Sequence, residues 1–360
     1  MKKIYILLAV TALCFLSGCN NSKPASSMPE AIPTDETAEI TKNTYEQEAI
    51  PDGKPEENTQ KPPKSLEDKT IAYESVVPFD YVAAFNDIIY LSTRDDTGEG
   101  SFLLKMKVEE SVPEKLPIQA PTDMEFAHIA TDTQGLLYAV VINKGNSDAC
   151  YIWKIDGTNV VQEMDISEYM EKSDWYPWAF TVSGNGDLYL RIGGLDGILT
   201  VVFDSEGRFL SKITDEGRYN LLDAVGRGAD GDVYAVLQEK TTDKQFIAKL
   251  NGRSGSIEEL VGDVLPEEGV QYACVGDGGG SDLLLFNMQT GVVVYDTTEK
   301  EVKSRITTSE FPCDTEGKMS IFLPDSRLLL IKRNMKVENE KVITVAEGTT
   351  FYYIATDRQK

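Results

Sequence analysis

The 360-residue chain contains one histidine, His128, and five cysteines, none in a Cys-x-x-Cys pair. Catalysis by paired histidines therefore has no second partner, and zinc or redox sites built on closely spaced cysteines are excluded. Basic residues are also scarce, with 35 Lys and Arg against 59 Asp and Glu and a formal net charge of −24. Such an excess repels nucleic-acid phosphates, which argues against a nucleic-acid partner, and keeps an exposed protein soluble. A cationic partner or a divalent ion would still be attracted. There is no Gly-x-Ser-x-Gly elbow, no Trp-Asp dipeptide and hardly any helical spacing. The only long apolar run, Ile4 to Leu16, is too short to span a bilayer.

That run follows Lys2 and Lys3 and ends in Leu16-Ser17-Gly18-Cys19. The order of basic, apolar and small-residue regions is that of a cleaved signal peptide covering residues 1–18. Leu16-Ser17-Gly18-Cys19 resembles the lipobox of bacterial lipoproteins. The resemblance implies diacylation of the Cys19 sulfur, cleavage of the bond before it, often a further acyl group on the new N-terminus (palmitate being the expected acyl type), and anchoring to the lipid bilayer on the extracytoplasmic face. Two or three acyl chains hold stably where one does not. The alternative is that Cys19 merely ends an ordinary signal peptide. Of the other cysteines Cys14 leaves with the signal, so Cys150, Cys274 and Cys313 remain, an odd number that allows no complete disulfide framework. Each reads as a small apolar core residue.

Residues 19–69 are rich in Pro, Glu, Asp, Ser, Thr and Lys, as in Pro-Glu-Glu-Asn-Thr-Gln-Lys-Pro-Pro-Lys at 55–64. They cannot bury enough apolar surface to fold and are expected to form a disordered tether.

From residue 70 to 360 the periodicity is that of strands. One unit recurs: a turn of Gly, Asp or Asn, then an apolar strand with Tyr or Leu near its centre. Its copies include Gln134-Gly135-Leu136-Leu137-Tyr138, Asn185-Gly186-Asp187-Leu188-Tyr189 and Asp230-Gly231-Asp232-Val233-Tyr234. Taking Tyr90, Tyr138, Tyr189, Tyr234, Leu284 and Leu329 as reference points, the spacings are 48, 51, 45, 50 and 45 residues. A period in the forties made of short strands is the signature of propeller blades, one four-stranded sheet per repeat. The fold class is thus all-β, a β-propeller of six blades rather than seven or eight. The last unit ends at Lys360 after three strands, and Thr70–Val77 is positioned to supply its fourth and close the ring. The pattern resembles six-bladed propellers of the NHL and TolB-like kind, and more closely the propeller lipoproteins of Gram-positive bacteria. Some of those relatives carry an added solute-binding domain.

Candidate sites follow from this architecture. Links into inner strands lie around the channel mouth, and they carry Tyr81, Trp175, Tyr176, Trp178, Tyr219 and Tyr272. These aromatics either pack between blades or form a platform for a protein, peptide or glycan. Asp80, Glu125 and Asp223 lie near inner strands and are the candidates for holding Ca²⁺ or another divalent cation in the channel. Asp187, Asp232 and Asp282 fall in hairpin turns, where local bonds to turn amides are expected. His128, within an inner strand, is either a satisfied interior histidine or a base. Gly276–Asp282 reads as a flexible turn. The leading expectation is a non-enzymatic binding or scaffolding module. The alternatives are a metal-dependent lyase or hydrolase and an accessory of a solute transporter or sensor.

Overall fold

The computed structural model divides the chain into two units, Met1–Lys64 and Ser65–Lys360. It describes residues 70–75, 79–94, 100–145, 148–170, 174–194, 197–214, 219–242, 244–261, 272–287, 290–311, 318–323, 327–337 and 344–355. Cys19 and the segments expected to be signal and tether lie outside the described residues.

Six four-stranded antiparallel sheets make up the second unit. Blade 1 is β2 (Tyr81–Phe85), β3 (Ile88–Arg94), β4 (Ser101–Lys107) and β5 (Glu114–Gln119). Blade 2 is β6 (Met124–Thr131), β7 (Leu137–Asn143), β8 (Cys150–Asp156) and β9 (Asn159–Asp165). Blade 3 is β10 (Tyr176–Val182), β11 (Leu188–Gly194), β12 (Gly197–Phe203) and β13 (Phe209–Thr214). Blade 4 is β14 (Tyr219–Arg227), β15 (Val233–Glu239), β16 (Gln245–Asn251) and β17 (Ser256–Val261). Blade 5 is β18 (Tyr272–Gly279), β19 (Asp282–Asn287), β20 (Gly291–Asp296) and β21 (Glu301–Thr307). Blade 6 joins β22 (Lys318–Phe322), β23 (Arg327–Val337) and β24 (Thr344–Ala355) to β1 (Thr70–Ser75), in the order β1-β24-β23-β22. The expected closure is therefore observed, with Thr70 paired to Ile354 and Ser75 to Thr349. The first strand of each blade contacts the first strand of the next, and β2 contacts β22, so the inner strands form a closed ring around a channel.

Burial is greatest in the middle strands of the blades and least in the outer ones. The second strand of blade 2, Leu-Tyr-Ala-Val-Val-Ile-Asn, is buried on both faces except at Asn143, because neighbouring blades cover it on either side. The outer strand β9 is exposed at five of its seven positions. Six apolar clusters fill the six blade-to-blade interfaces. Cys150 lies in one of them, unpaired, its thiol pushed up to about 12 chiefly by burial, as expected of a core cysteine.

The recurrent glycine of the repeat has a conformational reason. Gly135, Gly186 and Gly231 share one turn position and adopt φ of +87°, +87° and +84°, a region that side chains disfavour. Turn amides are satisfied by acids earlier in the hairpin than expected. Asp132 Oδ1 accepts from the Gln134 and Leu136 amides at 2.8 and 2.9 Å, and Asp230 Oδ1 from Asp232 at 3.0 Å. Asp187, Asp232 and Asp282 instead meet cations: Arg253 at 3.3 Å, Lys249, and Lys303 at 2.7 Å. The Gly-rich stretch also differs from expectation. β18 runs through Gly276, Asp277, Gly278 and Gly279, and only Gly280 and Ser281 form the turn. A Cβ on Gly276 would lie 2.5 Å from Phe322 of blade 6, so glycine here permits blade packing.

Candidate functional site at the channel mouth

The inner strands begin at one end of the channel, and a tyrosine opens four of them: Tyr81 in β2, Tyr176 in β10, Tyr219 in β14 and Tyr272 in β18. The side chains of Tyr219, Tyr272 and Asp223 lie outside the described residues.

The structure brings Tyr81 of blade 1 together with Tyr176 and Trp178 of blade 3, with His128 of blade 2 between them. The Tyr81 and Tyr176 hydroxyls are 3.3 Å apart, and the Tyr81 ring packs on His128 with centroids 4.5 Å apart. Trp178 meets Tyr176 edge-on at 6.4 Å and donates through Nε1 to the Gly193 carbonyl at 2.9 Å. Strand pairing skips Trp178, because the β10–β11 register shifts between Pro177 and Ala179. A bulge of this kind re-aims the side chain it carries. Trp175 does not join the group. It is 7% exposed and packs with Met170 and Phe180 between blades 2 and 3.

Asp80 and Glu125 meet at the same place, where each binds a guanidinium. Arg94, the last residue of β3, donates through Nε to Asp80 at 3.1 Å and contacts Glu125 through Nη2 at 3.2 Å. Among the described residues, no group of three or more His, Cys, Asp or Glu converges as a metal site would require.

Electrostatics keep the aromatic groups neutral. Burial, followed by proximity to Tyr176, raises the Tyr81 hydroxyl well above the ordinary tyrosine range, and burial raises Tyr176 as well. Both hydroxyls can therefore donate. Burial pushes His128 down to about 4, only partly offset by the Pro177 carbonyl 3.0 Å from Nε2. A carbonyl only accepts, so Nε2 carries the proton of a neutral imidazole. Glu125 is raised by burial, which Arg94 offsets in part.

A separate hollow of about 480 Å³ lies between blades 3 and 4 on the hairpin face. Its charged walls are mostly paired, Asp187 with Arg253 and Asp232 with Lys249, while Asp230 accepts from the Tyr234 hydroxyl.

No family model matches the chain, and neither does any curated protein sequence. Similar solved structures include a Lactobacillus plantarum protein, 18% identical over 76% of this chain and 87% of that one, TM-score 0.45. A luciferin-regenerating enzyme is 8% identical over 79% and 95% of the two chains, TM-score 0.49. YCF48 bound to D1 peptide is 12% identical over 79% of each, TM-score 0.45. These figures record a likeness of shape, and the six-bladed assignment rests on the six sheets themselves.

Proposed function

We propose that this chain is a non-enzymatic binding module, lipid-anchored through Cys19 on the extracytoplasmic face of a membrane, that holds a protein, peptide or glycan at its channel mouth. The supporting observation is the group of Tyr81, His128, Tyr176 and Trp178, drawn from three adjacent blades and only partly buried. Rigid aromatic rings give large contact area at low entropic cost, and their polar tips give direction. His128, with its imidazole depressed to about 4 and its Nε2 proton committed to a carbonyl, is a poor base near neutral pH.

The thermal midpoint of the full chain, measured against a panel of peptides and oligosaccharides, tests the reading. A ligand at about 100 times its Kd adds about 2.7 kcal/mol, a shift of about 5 °C or more in a domain of this size. The expected result is a ligand whose shift disappears in a Tyr176→Ala, Trp178→Ala double variant that keeps the wild-type circular dichroism spectrum. An undiminished shift in that variant would place the site elsewhere. The anchor has its own test. Cys19→Ser should move the protein from the detergent-soluble membrane fraction to the medium or periplasm, and an unchanged distribution would remove the lipid from the proposal.

A further inference from the structure

Arg227 ends β14 in blade 4, but its side chain reaches out of that blade. Nη1 donates to the carbonyl of Val182, the last residue of β10, and to that of Thr131, the last residue of β6, each at 3.1 Å. A side chain that passes blade 3 to touch blade 2 crosses the end of the channel opposite the aromatic mouth. The acids acting on it from afar are Asp132 of blade 2 and Asp277 of blade 5, and burial outweighs both, leaving the guanidinium below its ordinary pKa. Asp132 Oδ1 already holds two turn amides, and Asp277 Oδ1 holds the Gly279 amide.

Among the described residues no carboxylate pairs with Arg227. Arg94, Arg208, Arg253 and Arg327, by contrast, each pair with one. In a chain of net charge −24, a partly buried guanidinium held only by carbonyl oxygens stands out. A cation in such a place is costly until an anion reaches it. With Nη1 committed, the Nε–Nη2 edge keeps the planar two-donor fork that fits a carboxylate.

We infer that Arg227 is an oxyanion subsite at the channel's base that takes a carboxylate of the ligand. The subsite does not depend on the aromatic mouth; it adds to that reading an acid-bearing ligand.

The full chain is titrated with glutarate and, separately, with inorganic phosphate at constant ionic strength and pH 7.5, following the thermal midpoint and the calorimetric heat. Glutarate should bind saturably, and Arg227→Gln should weaken it by about tenfold or more. Arg227→Lys, which keeps the charge but loses the fork, should retain part of the affinity and guards against a folding failure in the Gln variant. Arg208→Gln, at an exposed arginine paired with Asp204 and Glu206 away from the channel, should leave glutarate binding unchanged, so an effect specific to Arg227 is separable from a general loss of positive charge. The inference is overturned if glutarate has no effect on the wild type, if wild type and Arg227→Gln respond alike, or if phosphate binds and glutarate does not.

Discussion

At the mouth of the channel Arg94 sits between Asp80 and Glu125 at 3.1 and 3.2 Å, whereas at the base Arg227 touches only the carbonyl oxygens of Thr131 and Val182. The two arginines end strands in different blades, and each reaches beyond its own sheet. The Arg94 guanidinium is engaged by two carboxylates, beside the rings and hydroxyls of Tyr81 and Tyr176. The Arg227 guanidinium has no carboxylate partner among the described residues. The two ends of the channel thus hold their arginines differently, one paired with carboxylates and the other held by main-chain carbonyls with Asp132 and Asp277 further off.

The sharpest way to break the contrast is to disturb the backbone that positions Arg227. A Cβ on Gly226 would lie 1.8 Å from the Val275 carbonyl oxygen, a backbone atom of the next inner strand. Gly226→Val should therefore cost about 3 kcal/mol or more, read as a lower urea midpoint. A loss under about 1 kcal/mol would mean that β14 and β18 tolerate separation.

At the mouth, His128 should impose a pH dependence. Its folded pKa of about 4 lies below the ordinary 6.5, so the unfolded chain takes the proton first as the medium becomes acidic. Stability present above pH 6.5 is lost as the pH falls towards 4, by up to about 3 kcal/mol. Urea midpoints measured across that window should fall more steeply for the wild type than for His128→Gln. Parallel curves would show that the imidazole is solvated.

Arg94→Met should have a smaller effect, about 1 kcal/mol, because the Arg94 side chain is 38% exposed and the lost pairs are screened by water. It leaves Asp80 and Glu125 facing each other unneutralised, so the loss should shrink in high salt. Tyr176→Phe should have the smallest effect, about 0.5 kcal/mol, since it removes one 3.3 Å hydroxyl contact and keeps the ring. If ligand binding also survives this change, the ring and not its hydroxyl makes the contact.

Much of the fold was legible because one residue type recurs where the geometry demands it. The positive φ at Gly135, Gly186 and Gly231 explains why that repeat survives in the sequence, and the buried tyrosine three residues later explains its partner. Tyr189, for example, accepts a hydrogen bond from the Gly252 amide of the next blade at 2.9 Å. The missing outer strand of the last unit was equally readable, since an unpaired edge must be covered.

The ionic part of the site was less legible. Asp80 and Glu125 were recognisable as neighbours of the channel, but the cation between them comes from the end of β3, where Arg94 looks like any exposed strand terminus. Arg227 left one faint signal, a lone base between Gly226 and Gly228 at the end of an apolar strand. Its reach across two blades depends on the closed ring, which no local pattern encodes. Trp175 and Trp178 are three residues apart in one aromatic run. A bulge that skips Trp178 places it at the mouth, while Trp175 enters the core.

Hydrogen exchange of the full chain, with and without the best ligand from the peptide and oligosaccharide panel, tests the channel-mouth reading most directly. New protection is expected at residues 79–82, 124–128 and 174–178, where the inner strands begin, and none on the outer strands β9 and β13. Protection confined to those outer strands, with the mouth unchanged, would contradict it.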